Sequence, residues 1–204
     1  VSRIVAGSRG GRRLETPTGD LTRPTSDRVR EALFSALASW AGTAAEPPAE
    51  ALAGLAFVDL YAGSGAIGLE AASRGAAPVL LVESDARTAT LARRNVAALD
   101  LGAAVRSTPV ETLARLRADQ AYDVAFADPP YALAAERLDA VVADLVAHGW
   151  LVPDGLLVLE RSSRTPAPAW PAAVADSWVR SYGETVLHFA QLAPEGGGTA
   201  SVAP

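Results

Sequence analysis

Cysteine is absent from this chain, which excludes disulfides, thiol nucleophiles and thiolate metal sites together. Methionine and lysine are absent too, so every basic side chain is an arginine. There are only two histidines, His148 and His188. They are too far apart to suggest paired metal ligation and read as surface or strand residues, so no metal is expected. Long apolar runs are also lacking. Half of the 204 residues are hydrophobic, yet no run approaches the roughly 18 apolar residues of a membrane span. The opening stretch "VSRIVAGSRGGRR" has arginines but no apolar h-region and does not read as a signal peptide. The expectation is a soluble, cytoplasmic protein with no membrane partner, built as one domain or one domain plus an appendage.

A net charge of −5 argues, taken alone, against a nucleic-acid partner. The distribution argues the other way. Residues 1–30 hold seven arginines against three acids, and the remainder holds eleven against twenty. An acidic body with a basic arm can meet phosphates. The arginine fork suits such contacts, although a GC-rich genome would produce the same bias.

The arm, "RIVAGSRGGRRLETP", alternates short apolar runs around a Gly-rich bend and predicts a small hairpin. In "RPTSDRVREALFSALASW", Pro24, Thr25, Ser26 and Asp27 supply helix-start chemistry. Val29, Leu33, Phe34, Leu37 and Trp40 then form an apolar helical face. The Ala/Pro/Glu-rich stretch at 41–54 reads as a linker. From residue 56 strands and helices alternate, and the near-continuous apolar strands imply a parallel sheet covered on both faces. After Pro171 the pattern switches to period two around Gly183, predicting an antiparallel hairpin at the sheet edge. The expected division is a basic extension over 1–50, a catalytic domain over 51–192 and a disordered tail over 193–204.

"DLYAGSGAIG" places Gly63, Gly65 and Gly68 between a strand and a helix, and Glu83 ends the next strand. Such glycines permit a tight turn and close approach of a ligand, and the acid can accept from two ribose hydroxyls. A nucleoside-containing cofactor is the implication, against glycines that serve only a turn. A dinucleotide would lay its pyrophosphate on the helix N-terminus. S-adenosylmethionine would instead bring a sulfonium and an ammonium group. No basic residue lies between Glu31 and Ser73, while Asp59, Glu83 and Asp128 fall at expected strand ends. That acidic rim favours the cation without excluding NAD.

The strand "YDVAFA" runs into "DPPY". Prolines remove N–H donors and leave carbonyls free to accept. Asp128, expected to be ionised near neutral pH from a reference value of about 3.9, adds a further acceptor. The complementary ligand is a planar NH₂ group, with Tyr131 as a stacking face. Bonds from both N–H groups to Asp128 and the Pro129 carbonyl would favour tetrahedral nitrogen and aim its lone pair at an electrophilic methyl. A rigid Asp-Pro-Pro turn with Tyr131 as packing is the plainer alternative.

"DLYAGSGAIG", Glu83 and "DPPY", in this order, resemble the class I S-adenosyl-L-methionine-dependent amino-methyltransferases. With "RIVAGSRGGRRL" and "RPTSDRVREALF" added, the chain is similar more narrowly to the 16S rRNA (guanine(966)-N(2))-methyltransferases, over about residues 3–192. The resemblance implies a Rossmann-like class I methyltransferase fold, with a mostly parallel sheet, an antiparallel C-terminal hairpin and a small N-terminal hairpin-and-helix extension. It implies cofactor contacts from Asp59, Tyr61, Gly63, Ser64, Gly65 and Glu83, and a guanine amine held by Asp128, Pro129 and Tyr131. Where such enzymes often place an Asp or Asn for adenine, this chain has "RSTPVETL", so Thr108 or the backbone near Val110 stands in. The implied partner is 16S rRNA within the assembled or assembling small ribosomal subunit, its backbone clamped by Arg9, Arg12, Arg13, Arg23, Arg28 and Arg30, with Thr25 near the site. "DPPY" also occurs in methyltransferases of DNA adenine or cytosine. A DNA amino-methyltransferase, a nicotinamide-dependent oxidoreductase and a catalytically idle ribosome-assembly factor are the competing readings.

Overall fold

The computed structural model describes residues 2–17 and 26–195. Its centre is a seven-stranded sheet with strand order β3-β2-β1-β4-β5-β7-β6. β1 (Phe57–Leu60), β2 (Val79–Glu83), β3 (Ala103–Ser107), β4 (Tyr122–Ala127) and β5 (Leu151–Ser162) run parallel. β6 (Val174–Tyr182) and β7 (Thr185–Leu192) form the expected antiparallel hairpin. It is the later strand, β7, that pairs with β5, leaving β6 at the edge. The order turns outward from β1, with β2 on one side and β4 on the other. Ligands of open α/β sheets gather at the carboxyl ends of strands beside such a switch.

Both faces are covered. On one, α1 (Asp27–Trp40), α2 (Ala66–Ser73) and α3 (Ala86–Leu99) supply Leu33, Phe34, Leu37, Leu69 and Ala92 to a cluster with Phe57, Val124 and Val158. On the other, α4 (Val110–Ala114) and α5 (Ala135–Ala147) supply Leu113, Leu138, Val141 and Leu145 against Val58, Ala125 and Leu157. Alternation along each strand sends neighbouring side chains to opposite clusters. Among the described residues, no helix is long and apolar enough to cross a membrane.

α1 starts where the sequence indicates. Ser26 caps it, its hydroxyl oxygen accepting from the Val29 N–H at 3.3 Å. Its apolar face is buried except for half-buried Trp40, and Phe34 stacks on Phe57 with ring centroids 6.5 Å apart. The extension therefore shares one core with the sheet. The expected linker over 41–54 is likewise built in: Ala51 and Leu52 are buried, and the Leu52 N–H donates to the Arg74 carbonyl. Its Ala- and Pro-rich composition conceals those contacts.

The arm is an irregular hairpin with one antiparallel bridge, Arg3 to Arg13. It lies on the body rather than reaching away. The fully buried Glu70 carboxylate of α2 accepts from the Val5 and Ala6 N–H groups at 2.6 and 2.9 Å and from Arg74 Nε at 2.9 Å. Arg9 Nε donates to the Leu99 carbonyl at 2.5 Å, and Arg12 donates to that of Ala98 at 3.2 Å. These two guanidiniums close the carbonyl end of α3, where positive charge is favourable. The expected Pro24 and Thr25 contribution, Arg23 and most of the tail lie outside the described residues.

Candidate active site

The glycine turn is anchored by carboxylates from two strands. Gly65, with φ +86°, occupies the N-cap of α2 in the left-handed region that glycine tolerates. A Cβ at Gly68 would meet Leu81 Cδ2 at 2.1 Å and Asp59 Cβ at 3.1 Å, so any side chain there would have to push the packed Leu81 aside. The Gly68 N–H donates to Asp59 Oδ2 at 2.8 Å. Asp59 is buried within β1, one residue before its end, and supports the turn from beneath instead of lining the open cleft. Desolvation, and secondarily Glu83, pushes its carboxyl up to about 7, against the Gly68 hydrogen bond.

Glu83 ends β2 half-buried. Its Oε2 accepts the Gly63 N–H at 2.9 Å and its Oε1 accepts the Asp85 N–H at 2.8 Å. The carboxylate is thus oriented at the strand tip beside the turn. The Thr108 N–H donates to the Glu83 carbonyl at 3.1 Å, bringing the end of β3 alongside. The Val110 side chain belongs to the second core cluster, so only its backbone is left for a ligand. Ser64 turns its carbonyl inward to Asn95 of α3. Tyr61 has φ +62°, and its hydroxyl donates to Glu111 at 3.5 Å. Burial first, and Glu111 next, holds that phenol far above its ordinary range.

These contacts bear on the choice of cofactor. Gly63 and Gly68 direct their N–H groups at the chain's own carboxylates, so a pyrophosphate arriving there would face Glu83 and Asp59. A ligand bearing positive charge fits that donor set, and its hydroxyls find an oriented acceptor in Glu83.

Asp128 follows β4 at the sheet's carboxyl end, with Pro129 buried and Tyr131 80% exposed. They share a cavity of about 490 Å³ with Ser26, the cap of α1, with Val29 of α1 and with Glu160 of β5. The β6–β7 turn closes its far side. The ionised Asp128 expected from its reference value needs correction. Desolvation of the carboxyl, then repulsion from Glu160 and Asp59, raises its affinity for a proton, while Arg161 and the exposure of the residue to solvent at the cavity oppose the rise.

The structure brings the glycine turn, Glu83 and Asp128 to one edge of the sheet, but it divides the arginines. Arg9 and Arg12 cap α3. Arg30 is 2% exposed and ion-paired with Asp27, which Arg3 also engages at 3.0 Å. Its guanidinium therefore faces inward and is not offered to phosphate. Arg13 and Arg28 are exposed. Glu160 was missed in the sequence. The signal was available, because "GLLVLE" ends an apolar strand in an acid just as "PVLLVE" does.

A family model described as "Conserved hypothetical protein 95" matches residues 2–191. The chain is 34% identical over 172 residues to "Ribosomal RNA small subunit methyltransferase D" of Escherichia coli K12, covering 83% of this chain and 79% of that protein. It is 29% identical to "Putative rRNA methyltransferase YlbH" of Bacillus subtilis, covering 90% and 95%. Among solved structures, "Putative methyltransferase yhhF" from Escherichia coli superposes with a TM-score of 0.79 at 28% identity, covering 95% of this chain and 99% of that one.

Proposed function

We propose that this chain, which belongs to the ribosomal RNA small subunit methyltransferase D family, transfers a methyl group from S-adenosylmethionine to the exocyclic N2 of a guanine in 16S ribosomal RNA. The observation that carries the chemistry is that Asp128, Pro129 and exposed Tyr131 line one cavity directly after β4, whose neighbour β1 leads into the glycine turn anchored by Asp59 and Glu83. The relatives carry the names of ribosomal RNA methyltransferases, which leaves the DNA and nicotinamide readings without support.

S-adenosylmethionine supplies a methyl carbon on positively charged sulfur, and the sulfur keeps the electron pair of the broken bond. The residues described here do the rest. Glu83 accepts ribose hydroxyls while it braces the turn through Gly63. Tyr131 stacks on the incoming base, a contact of about 1–3 kcal/mol. Asp128 and the Pro129 carbonyl each accept one N–H of the amine, so the nitrogen lone pair stands out of the ring plane and points toward the cofactor cleft. Those N–H donors favour the ionised form of Asp128. After transfer N2 carries a surplus proton, and Asp128, with its raised proton affinity, receives it and passes it to water in the cavity.

The target base is paired if it lies in a duplex, so it must be unpaired or turned out to enter the cavity. The proposed context is the assembled or assembling small subunit, with Arg13 and Arg28 meeting backbone phosphate around α1. Labelled methyl transfer to purified small subunits, naked ribosomal RNA and duplex DNA tests the proposal. A single N2-methylguanosine in 16S RNA is expected. Transfer to DNA alone would overturn it.

A further inference from the structure

Asp128 and Pro129 explain how an amine is held but not which base carries it. Adenine and cytosine present exocyclic amines as well. What separates guanine is the ring nitrogen beside the amine: N1 of guanine bears a hydrogen, whereas N1 of adenine and N3 of cytosine are acceptors. A site selective for guanine needs an acceptor next to the one holding the amine.

The sheet supplies that neighbour. Ala127 of β4 is paired with Leu159 of β5 in parallel register. Asp128 follows the last residue of β4 and Glu160 is the next residue of β5, so the two stand on neighbouring segments at the sheet's carboxyl end, where adjacent strands lie about 4.8 Å apart. Both line the 490 Å³ cavity, and Glu160 contributes to raising the proton affinity of Asp128. Glu160 is 8% exposed, so its carboxylate lies in a largely desolvated wall and not in open solvent. Resting on the guanine reading above, we infer that Glu160 selects the base by accepting the N1–H of guanine while Asp128 and Pro129 hold N2. A base with an N1 acceptor sets a lone pair against the carboxylate and offers it no donor. Such a mismatch costs a buried charged group heavily.

The test replaces the target guanine in reconstituted small subunits by 2-aminopurine, which keeps the N2 amine but has an acceptor at N1. Wild-type enzyme is expected to favour guanine by roughly 100-fold in kcat/KM. In Glu160→Gln the amide can donate to that acceptor. The guanine rate is expected to fall about tenfold and the aminopurine rate to rise, so that the preference collapses to a few-fold. Because 2-aminopurine also lacks O6, the change in the ratio on substitution is the diagnostic quantity. Equal use of both bases by wild type would overturn the assignment, and that comparison needs no variant. A parallel fall on both bases in a Glu160→Gln protein that still binds S-adenosylmethionine would also overturn it, leaving Glu160 a structural carboxylate. Failure of wild type to methylate guanine at all would be a distinct result, striking the underlying function instead.

Discussion

Asn95 of α3 donates a hydrogen bond to the carbonyl of Ser64, in the middle of the glycine turn, at 2.9 Å. The same amide donates to the Glu15 carbonyl and accepts the Glu15 N–H, both at 2.9 Å. One side chain, 2% exposed, thus ties the cofactor turn to the end of the N-terminal arm. Asn95→Ala strands all three partners. The expected loss is about 2–4 kcal/mol, read as a Tm lower by roughly 5–15 °C. Weaker S-adenosylmethionine binding by calorimetry should accompany it. An unchanged affinity would show that the turn holds its shape without this tie.

Asp59 gives the fold a pH dependence of defined sign. It keeps its proton up to about pH 7 in the folded chain, against 3.8 ordinarily. Between those values the folded state binds more protons than the unfolded state, so this group's contribution to stability falls as pH rises from about 4 to 7 and is level above. Asp59→Asn can still accept the Gly68 N–H and never acquires the charge. Thermal denaturation from pH 4 to 8 should show the variant gaining on wild type by a few kcal/mol across that window. Cofactor affinity of wild type should rise over the same range, since a cation favours the ionised carboxylate. A difference between the two proteins that stays flat with pH would refute the assignment.

Strand bounds were most legible where burial is two-sided. "YDVAFA" coincides with β4, a parallel strand flanked by β1 and β5 and buried along most of its length. "AAVRS" also coincides with β3, although that strand lies at the sheet edge and is only partly buried. β5 was only half visible. Its first residues include Pro153, Asp154 and Gly155, and Asp154 has φ +61°, so the stretch resembles a loop although a register shift against β4 absorbs it. The glycine turn, Glu83 and Asp128 could be found from spacing because each sits at a strand end. The fate of each arginine could not. Nothing local distinguishes Arg12, whose guanidinium closes a helix 86 residues away in sequence, from Arg13 beside it, and both are exposed.

That division of the arginines predicts unequal effects on RNA binding. Arg13→Ala and Arg28→Ala should each weaken binding to ribosomal RNA uniformly and reduce the log–log salt slope by about 1. Arg30→Ala should instead act on the fold, because it removes a buried partner of Asp27 whose carboxyl Arg30 holds below the usual range. Its Tm should drop while the salt slope of the remaining folded protein is unchanged. Filter binding between 50 and 200 mM salt separates these outcomes. A reduced slope for Arg30→Ala would place its guanidinium on phosphate after all.

Asp128 carries the sharpest expectation. Asp128→Ala removes both an acceptor for the amine and the group that receives the proton, so methyl transfer should fall by roughly 10²–10⁴. S-adenosylmethionine should still bind within about tenfold of wild type, because Glu83 and the glycine turn are untouched. Asp128→Asn retains one carbonyl acceptor and should fall less, with a flattened acid limb in its pH–rate profile. Calorimetry alongside single-turnover transfer distinguishes loss of chemistry from loss of cofactor. Full activity in both variants would mean that the Pro129 carbonyl and Tyr131 suffice to present the nitrogen, and that the carboxylate beside Glu160 serves the wall of the cavity instead of the reacting atom.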